Sequence, residues 1–323
     1  MSRYLLRRFI EAIPLLLLIS IAVFTVLQLL PAGPLSIYEN EPSMTEADLQ
    51  RLREHYGLND PIPIRYAKWL FTLVHGDLGF SLVTQQPVAR MIADRLPNTL
   101  WLVAISLGLA LLIAIPLGVI SAVRQYSWLD HTVTLFGFVG YATPPFWSGL
   151  LAIIVFAVQF KEWGLPALPA SGMVTLGAGG GGLPDRLVHL VLPVGVLALF
   201  NTAHYMRYVR ASMLEVIQQD YVRTARSKGL PERPVILIHA LKNAALPLVT
   251  IVTLDLPALF SGALVTESIF AWPGMGRLFL ESAFRFDYAV LMGIVIITGL
   301  LVVLSMLLAD VLYAWLDPRI RYA

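Results

Sequence analysis

The chain has 323 residues, of which 57% are hydrophobic and 14% charged, with a mean hydropathy of +0.73. A soluble domain is roughly 45–50% apolar even counting glycine and roughly 25% charged, so these proportions exclude an ordinary water-soluble enzyme or a disordered chain and point to an integral membrane protein. A net charge of +2 is too balanced for a nucleic-acid binder, and the absence of cysteine excludes disulfides, thiolate metal sites and a cysteine nucleophile.

Crossing a bilayer takes roughly 17–25 apolar residues as a helix, because lipid offers no partner to an open backbone. Six runs qualify, at about 9–31, 99–123, 132–159, 187–206, 244–265 and 288–315. The first follows Arg3, Arg7 and Arg8. Its unbroken part, residues 12–30, exceeds the roughly 7–15 residues of a signal-peptide core, so it reads as a retained first helix. With the N-terminus inside, the inner segments carry 13 Lys and Arg in 60 residues and the outer ones 10 in 115. Both termini are therefore assigned to the cytoplasm.

The first outer segment, 32–98, reads as a small helical cap. Ser43-Met44-Thr45-Glu46 has the form of a capping box ahead of a helix over 45–56, which Gly57 would stop. A second helix is expected over 64–74, before Gly76-Asp77-Leu78-Gly79, and a third over 88–95, before Pro97. Such a cap would shield the membrane helices or dock a soluble partner. In the second span Ser106, Ala110, Ala114, Gly118 and Ala122 recur every four residues. Small residues let another helix approach closely, either within the chain or across a subunit contact. Pro144 and Pro145 remove two backbone donors from the third run, which is broken or bent there. Broken membrane helices sit against protein or a water-filled path, so both prolines are pathway candidates.

The glycine run 177–182 lacks the Gly-Lys pair of a phosphate-cradling loop, which occurs nowhere in the chain, and reads as a linker. No catalytic constellation and no His pair at metal-ligand spacing occurs either. The expectation is a non-catalytic chain that binds no metal and no cofactor of its own.

The inner segment 207–242 is the longest and most basic of its kind. Asp220 suits an N-cap, Gly229 a C-terminal stop, and Pro231 prevents continuation. The isolated two-turn helix between them needs a docking surface to be stable. Tyr221, Thr224, Ala225 and Lys228 share one face, with a small residue at its centre, which suits insertion into a partner's groove. The other reading is an amphipathic helix on anionic lipid, with Arg223, Arg226 and Lys228 supplying charge. In the fifth span, Asp255 precedes Pro257 by two residues. An intramembrane carboxylate lines an aqueous path, is satisfied by hydrogen bonds, or couples protons. The last outer loop holds Glu267 and Trp272-Pro273-Gly274-Met275-Gly276-Arg277. It reads as a re-entrant hairpin at the outer mouth, with Glu267, Trp272, Pro273 and Gly274 as gate candidates, or as an interfacial tryptophan anchor with a turn.

The inner loop resembles the coupling motif of ABC-transporter permeases. Their general form is Glu-Ala-Ala, three residues, then Gly. Aligned on Gly229, the chain has Arg223-Thr224-Ala225 in the first three places. It is closest to the dipeptide/oligopeptide/nickel branch, which carries Asp-Tyr-x-Arg-Thr-Ala-x-x-Lys-Gly-Leu, as at 220–230, and Leu-x-Asn-Ala-x-x-Pro, as at 241–247. Arg7-Arg8, Gly76-Asp77-Leu78-Gly79, the Thr266–Arg277 loop and the ending Asp317-Pro318-Arg319-Ile320-Arg321 extend the resemblance over nearly the whole chain.

The resemblance implies an all-α type I ABC importer permease of six transmembrane helices, the first of two permease subunits, in the bacterial inner membrane. Residues 1–31 would be the first helix, 32–98 the extracytoplasmic cap and 99–323 the permease core. The implied partners are a second, homologous permease subunit in a heterodimer, two cytoplasmic ATPases that hold ATP and magnesium, an extracytoplasmic peptide-binding protein, and membrane lipid. Asp220, Tyr221, Arg223, Thr224, Ala225, Lys228 and Gly229 would form the coupling site. Peptide, nickel, haem or glutathione are substrates of this branch, with di- and oligopeptides favoured. A proton-coupled secondary transporter using Asp255 is the alternative from another class.

Overall fold

The computed structural model describes residues 2–29, 33, 35, 38, 44–177 and 180–316. Among these the only strand pairing is an isolated bridge between Phe80 and Pro87; the rest is helices and turns. Among the described residues, six helical stretches are long and apolar enough to cross a membrane: Ile10–Leu29, Val88–Val123, Pro145–Glu162, Leu183–Ile217, Glu232–Leu256 and Tyr288–Leu312. The chain divides into two compact units, Met1–Asn98 with Gly274–Leu304, and Thr99–Pro273 with Ser305–Ala323.

In the first unit the short helices α2 (Glu46–His55) and α3 (Ile62–Val74) follow α1 (Ser2–Leu29), and α3 packs on it. Phe24 of α1 meets the ring of Tyr66 edge-on at 5.4 Å, and the Ser20 and Tyr66 hydroxyls lie 2.9 Å apart, which seats α3 on α1. The cap of α2 differs from expectation. Thr45, not Ser43, is the N-cap, and its partner is Asp48: the Thr45 hydroxyl accepts from the Asp48 amide while the Asp48 carboxylate accepts from Thr45. Ser43 lies outside the described residues. Gly57 takes φ +62, the left-handed stop its type favours. Val88 and Ile92 then pack with Met275 and Leu278 of α10 (Met275–Phe284) and with Val290 and Ile294 of α11 (Tyr288–Leu316). Gly293 permits this, because a Cβ there would lie 2.6 Å from Val88 Cγ1.

The helix expected to stop before Pro97 does not stop. It runs on as α4, Val88–Val123. The proline removes the donor that would reach the Ala93 carbonyl, and at the next position the Asn98 side-chain amide donates to the Asp94 carbonyl at 3.2 Å.

In the second unit the expected third span is two helices, α5 (Trp128–Ala142) and α6 (Pro145–Ala152). Each residue before a proline is driven out of helical geometry, and both Thr143 (ψ 120°) and Pro144 (ψ 136°) are extended. A π-helical turn, Ile153–Gln159, prolongs α6. At the centre stands α7 (Leu183–Ile217), whose buried face meets α4, α5 and α9 (Leu241–Ile269). The small-residue stripe of α4 lies on α7 and is an intramolecular contact: Ala110 and Ala114 are fully buried, and a Cβ on Gly118 would fall 2.7 Å from Val209 Cβ. Gly137 and Gly140 give α5 the same closeness to Met206 and Ala203 of α7.

Candidate functional site

The coupling helix is α8, Asp220–Ser227. Asp220 is its first helical residue rather than its N-cap, a place taken by Gln219 with an extended backbone and no side-chain cap. A carboxylate in the first turn is still favoured there by the positive end of the helix. Lys228 is the C-cap, and Gly229 follows with φ +76, a left-handed conformation that any Cβ would strain. The face assignment changes. Ala225 does not share an outward face with Tyr221, Thr224 and Lys228. It is turned into the chain beside Val222, against Val235, Ile236 and Met213. Tyr221, Arg223, Thr224 and Lys228 are exposed. The Arg226 guanidinium grips Glu232 at 2.7 and 3.3 Å and closes the turn that follows. A two-turn helix too short to hold by itself is thus anchored on one side and left open on the other.

Beside it lies a polar clamp that the sequence reading passed over. Arg210 of α7 donates from Nε and Nη2 to the two oxygens of Asp130 at 2.8 and 2.9 Å. Ser121 of α4 also donates to Asp130, and the amide of Tyr126 donates to it at 3.0 Å. Tyr126 adopts φ +61 to do so. Asp130 is 2% exposed, and the Arg210 guanidinium holds its carboxyl far below the usual carboxylate range. The clamp joins α4, α5 and α7, with Arg210 ten residues before the start of α8. Eighty positions separate its charges, so spacing carries no sign of the pairing. The only hint is an aspartate at the rim of an apolar run, which needs a cation if it is buried.

Asp255 lies in α9 and is half-buried. Its Oδ2 lies 3.1 Å from His204 Nε2 of α7, a partner the sequence did not indicate. Tyr141 stacks on His204 and Phe200, and Arg207 stands 4.5 Å from the Tyr141 ring centre. The gate candidates divide. Glu267 is fully buried and accepts from the Thr99 hydroxyl at 2.6 Å; Trp272 is 2% exposed among Leu102, Leu190, Val194 and Leu197. Trp272 is therefore a core residue and not an interfacial anchor. Its amide donates to the Glu267 carbonyl at 2.8 Å across a turn in which Ala271 has φ +47. Pro273 is half-buried, and Gly274 is the N-cap of α10. Pro144 is exposed and Pro145 opens α6. The glycine run is no free linker at its described end: the Gly181 amide and Thr175 both donate to Asp185.

Compared with known proteins, residues 114–322 match the family described as binding-protein-dependent transport system inner membrane component, and residues 1–103 match its N-terminal component. The chain is 45% identical to the oligopeptide transport system permease protein AppB of Bacillus subtilis (strain 168), with 100% of both chains covered. It is 34% identical to the dipeptide transport system permease protein DppB of Escherichia coli (strain K12), covering 100% of this chain and 99% of that one. A chain of the inward-facing MetNI methionine ABC transporter is similar in fold, with TM-score 0.57 and 16% identity over 71% of this chain and 97% of that one.

Six apolar helices in this arrangement define a type I ABC importer permease fold, a multi-pass protein of the bacterial plasma membrane. The chain belongs to the family of binding-protein-dependent transport system inner membrane components. Relatives of this kind are components of ABC transporters, which implies ATPase and substrate-binding partners.

Proposed function

We propose that this chain is a peptide-conducting permease subunit, one half of a heterodimeric pathway. Two ATPases engage the exposed side of α8, and an extracytoplasmic protein delivers peptide. ATP and magnesium sit on the ATPases, and this chain binds no cofactor and performs no chemistry. The observation that carries the coupling role is the two-sided seat of α8: Val222 and Ala225 are buried in the chain while Tyr221, Thr224 and Lys228 face outward. A push on α8 passes to α7 through Val222 and Ala225 packed beside Val209 and Met213, and from α7 to α4 and α5 through the Arg210–Asp130 clamp. ATP closing the ATPase dimer would turn the pathway from inward- to outward-facing along that route. Peptide as the substrate is supported by the names of the full-length relatives, and it is preferred to nickel, haem or glutathione on that ground.

The test is uptake of a labelled dipeptide by vesicles holding the complete complex. Uptake is expected to require ATP, the ATPases and the binding protein together. Uptake driven by a proton gradient alone would overturn the reading and favour the alternative in which the His204–Asp255 pair carries protons. Orientation is checked separately. A reporter fused after Gly182 is expected outside and one after Gly229 inside; the same side for both contradicts the six-span topology with cytoplasmic termini.

A further inference from the structure

Phe200, His204, Arg207 and Tyr208 follow one another at positions i, i+4, i+7 and i+8 of α7, so they form a single stripe along that helix. Tyr141 from the last turn of α5 lies over the stripe, with ring centres 5.6 Å from Phe200 and 5.8 Å from His204, both nearly parallel. The Arg207 guanidinium carbon stands 4.5 Å from the centre of the same ring. Asp255 of α9 closes the other side through His204. The group is not sealed: Tyr141 is 45% and Tyr208 38% exposed, and the Asp255 side chain is 32% exposed. Two of its polar atoms, His204 Nδ1 and Arg207 Nε, are buried without a hydrogen-bond partner in the chain.

An imidazole and a carboxylate within the spans, with a guanidinium at their inner edge, cannot be left facing hydrocarbon, so this stripe faces an aqueous path or another protein surface. Its chemistry distinguishes the two. It holds one acid and one base on either side of an aromatic platform, and unpartnered donors and acceptors beside them. That is the complement of a short zwitterion with apolar side chains. His204, which holds Asp255, and Arg207 stand three positions apart, roughly 4.5 Å along the helix axis. Two residues of extended peptide reach at most roughly 7 Å, a distance a flexible arginine bridges. We infer that this stripe is a transit site for the peptide, at which Asp255 receives the α-ammonium, Arg207 the α-carboxylate, and Tyr141 and Tyr208 the side chains. The inference rests on the peptide reading above. His204 is a positioning residue: donating from Nε2, it aims the Asp255 carboxylate.

The experiment uses the complete transporter in vesicles, with peptide uptake and ATP turnover measured on the same preparation. Asp255→Asn and Arg207→Gln are each expected to lower the peptide taken up per ATP hydrolysed by about tenfold, the scale of one lost charge-assisted hydrogen bond. Leu254→Ala, next to Asp255 but 69% exposed on an apolar side chain, is expected to change neither. A photoreactive phenylalanine at Tyr208 is expected to capture labelled peptide during turnover, and one at Leu254 to capture none. Unchanged uptake per ATP in both charge variants, together with no peptide adduct at Tyr208, overturns the transit site while leaving the peptide importer intact. Capture of the partner permease at Tyr208 in the resting complex also overturns it, because the stripe would then be a subunit contact. A wild-type complex that imports no peptide at all overturns the site and the function together.

Discussion

Arg210→Met is expected to destabilise the protein by about 3–5 kcal/mol, because it strands the buried Asp130 carboxylate among Ser121, the Tyr126 amide and apolar helices. Asp130→Leu alone is expected to cost less, because the Arg210 side chain is 28% exposed and its guanidinium can reach water. The double variant Asp130→Leu/Arg210→Met removes both charges and is expected to recover most of the loss, since a buried ion pair often replaces well by apolar groups. Thermal unfolding of the four proteins in detergent gives the cycle, and additive losses would contradict the clamp. Its pH dependence has a definite sign. The folded-state value of Asp130 lies below the unfolded one of about 3.9, so the stabilisation is complete above that value and is lost as pH falls through the depressed one. Between pH 6 and 8 the clamp is therefore expected to contribute a constant amount. The more telling consequence is functional. The double variant, though stable, joins α4, α5 and α7 only by packing, and is expected to hydrolyse ATP with less transport per turnover than the wild type.

Ala225→Trp and Thr224→Trp change adjacent residues and are expected to fail in different ways. Ala225 is 6% exposed against Val235 and Ile236, and an indole there overpacks the seat of α8 at a cost of about 1–3 kcal/mol. Its melting temperature falls, and the ATPases are lost because α8 is displaced. Thr224 is on the open side, where a surface substitution is worth no more than about 0.5 kcal/mol. That variant is expected to insert and melt as the wild type does, yet lose co-purifying ATPases or their stimulation by liganded binding protein. Gly229→Asp belongs with the first kind on a smaller scale. Nothing stands within 4 Å of a Cβ there, so only the left-handed backbone at φ +76 penalises it, by about 1–2 kcal/mol. If Thr224→Trp binds and couples normally while neutralising Arg223 and Arg226 disables transport, α8 is a lipid anchor.

Much of the architecture was legible in the chain itself. Apolar runs of membrane length found the six spans because hydrophobic length is a local property that lipid reads directly. Pro144-Pro145 located the break in the third run because proline acts on its own neighbour's backbone. Gly57 and Gly229 marked helix ends for the same local reason, and both adopt positive φ. Pro97 misled in the opposite direction: the local rule predicts a stop, but a long apolar helix carried through it. Helix periodicity placed Ala225 on a face with Tyr221 and Thr224, yet Ala225 is buried with Val222 on another side, because Val235 and Ile236 arrive there from the following turn.

What the sequence by itself determined is therefore everything set by a residue and its near neighbours: the membrane class, the number of spans, the two-turn helix before Gly229 and the breaks at proline and glycine. The tertiary structure alone decided which charges meet. Arg210 with Asp130 and His204 with Asp255 are separated by 80 and 51 positions, and no spacing rule reaches that far. It also buried Glu267 and Trp272 within the chain. The physical reason is that a buried ionisable group is tolerated only where another helix brings its partner. Which helix does so depends on the glycines at 118, 137 and 140 letting α4 and α5 close upon α7.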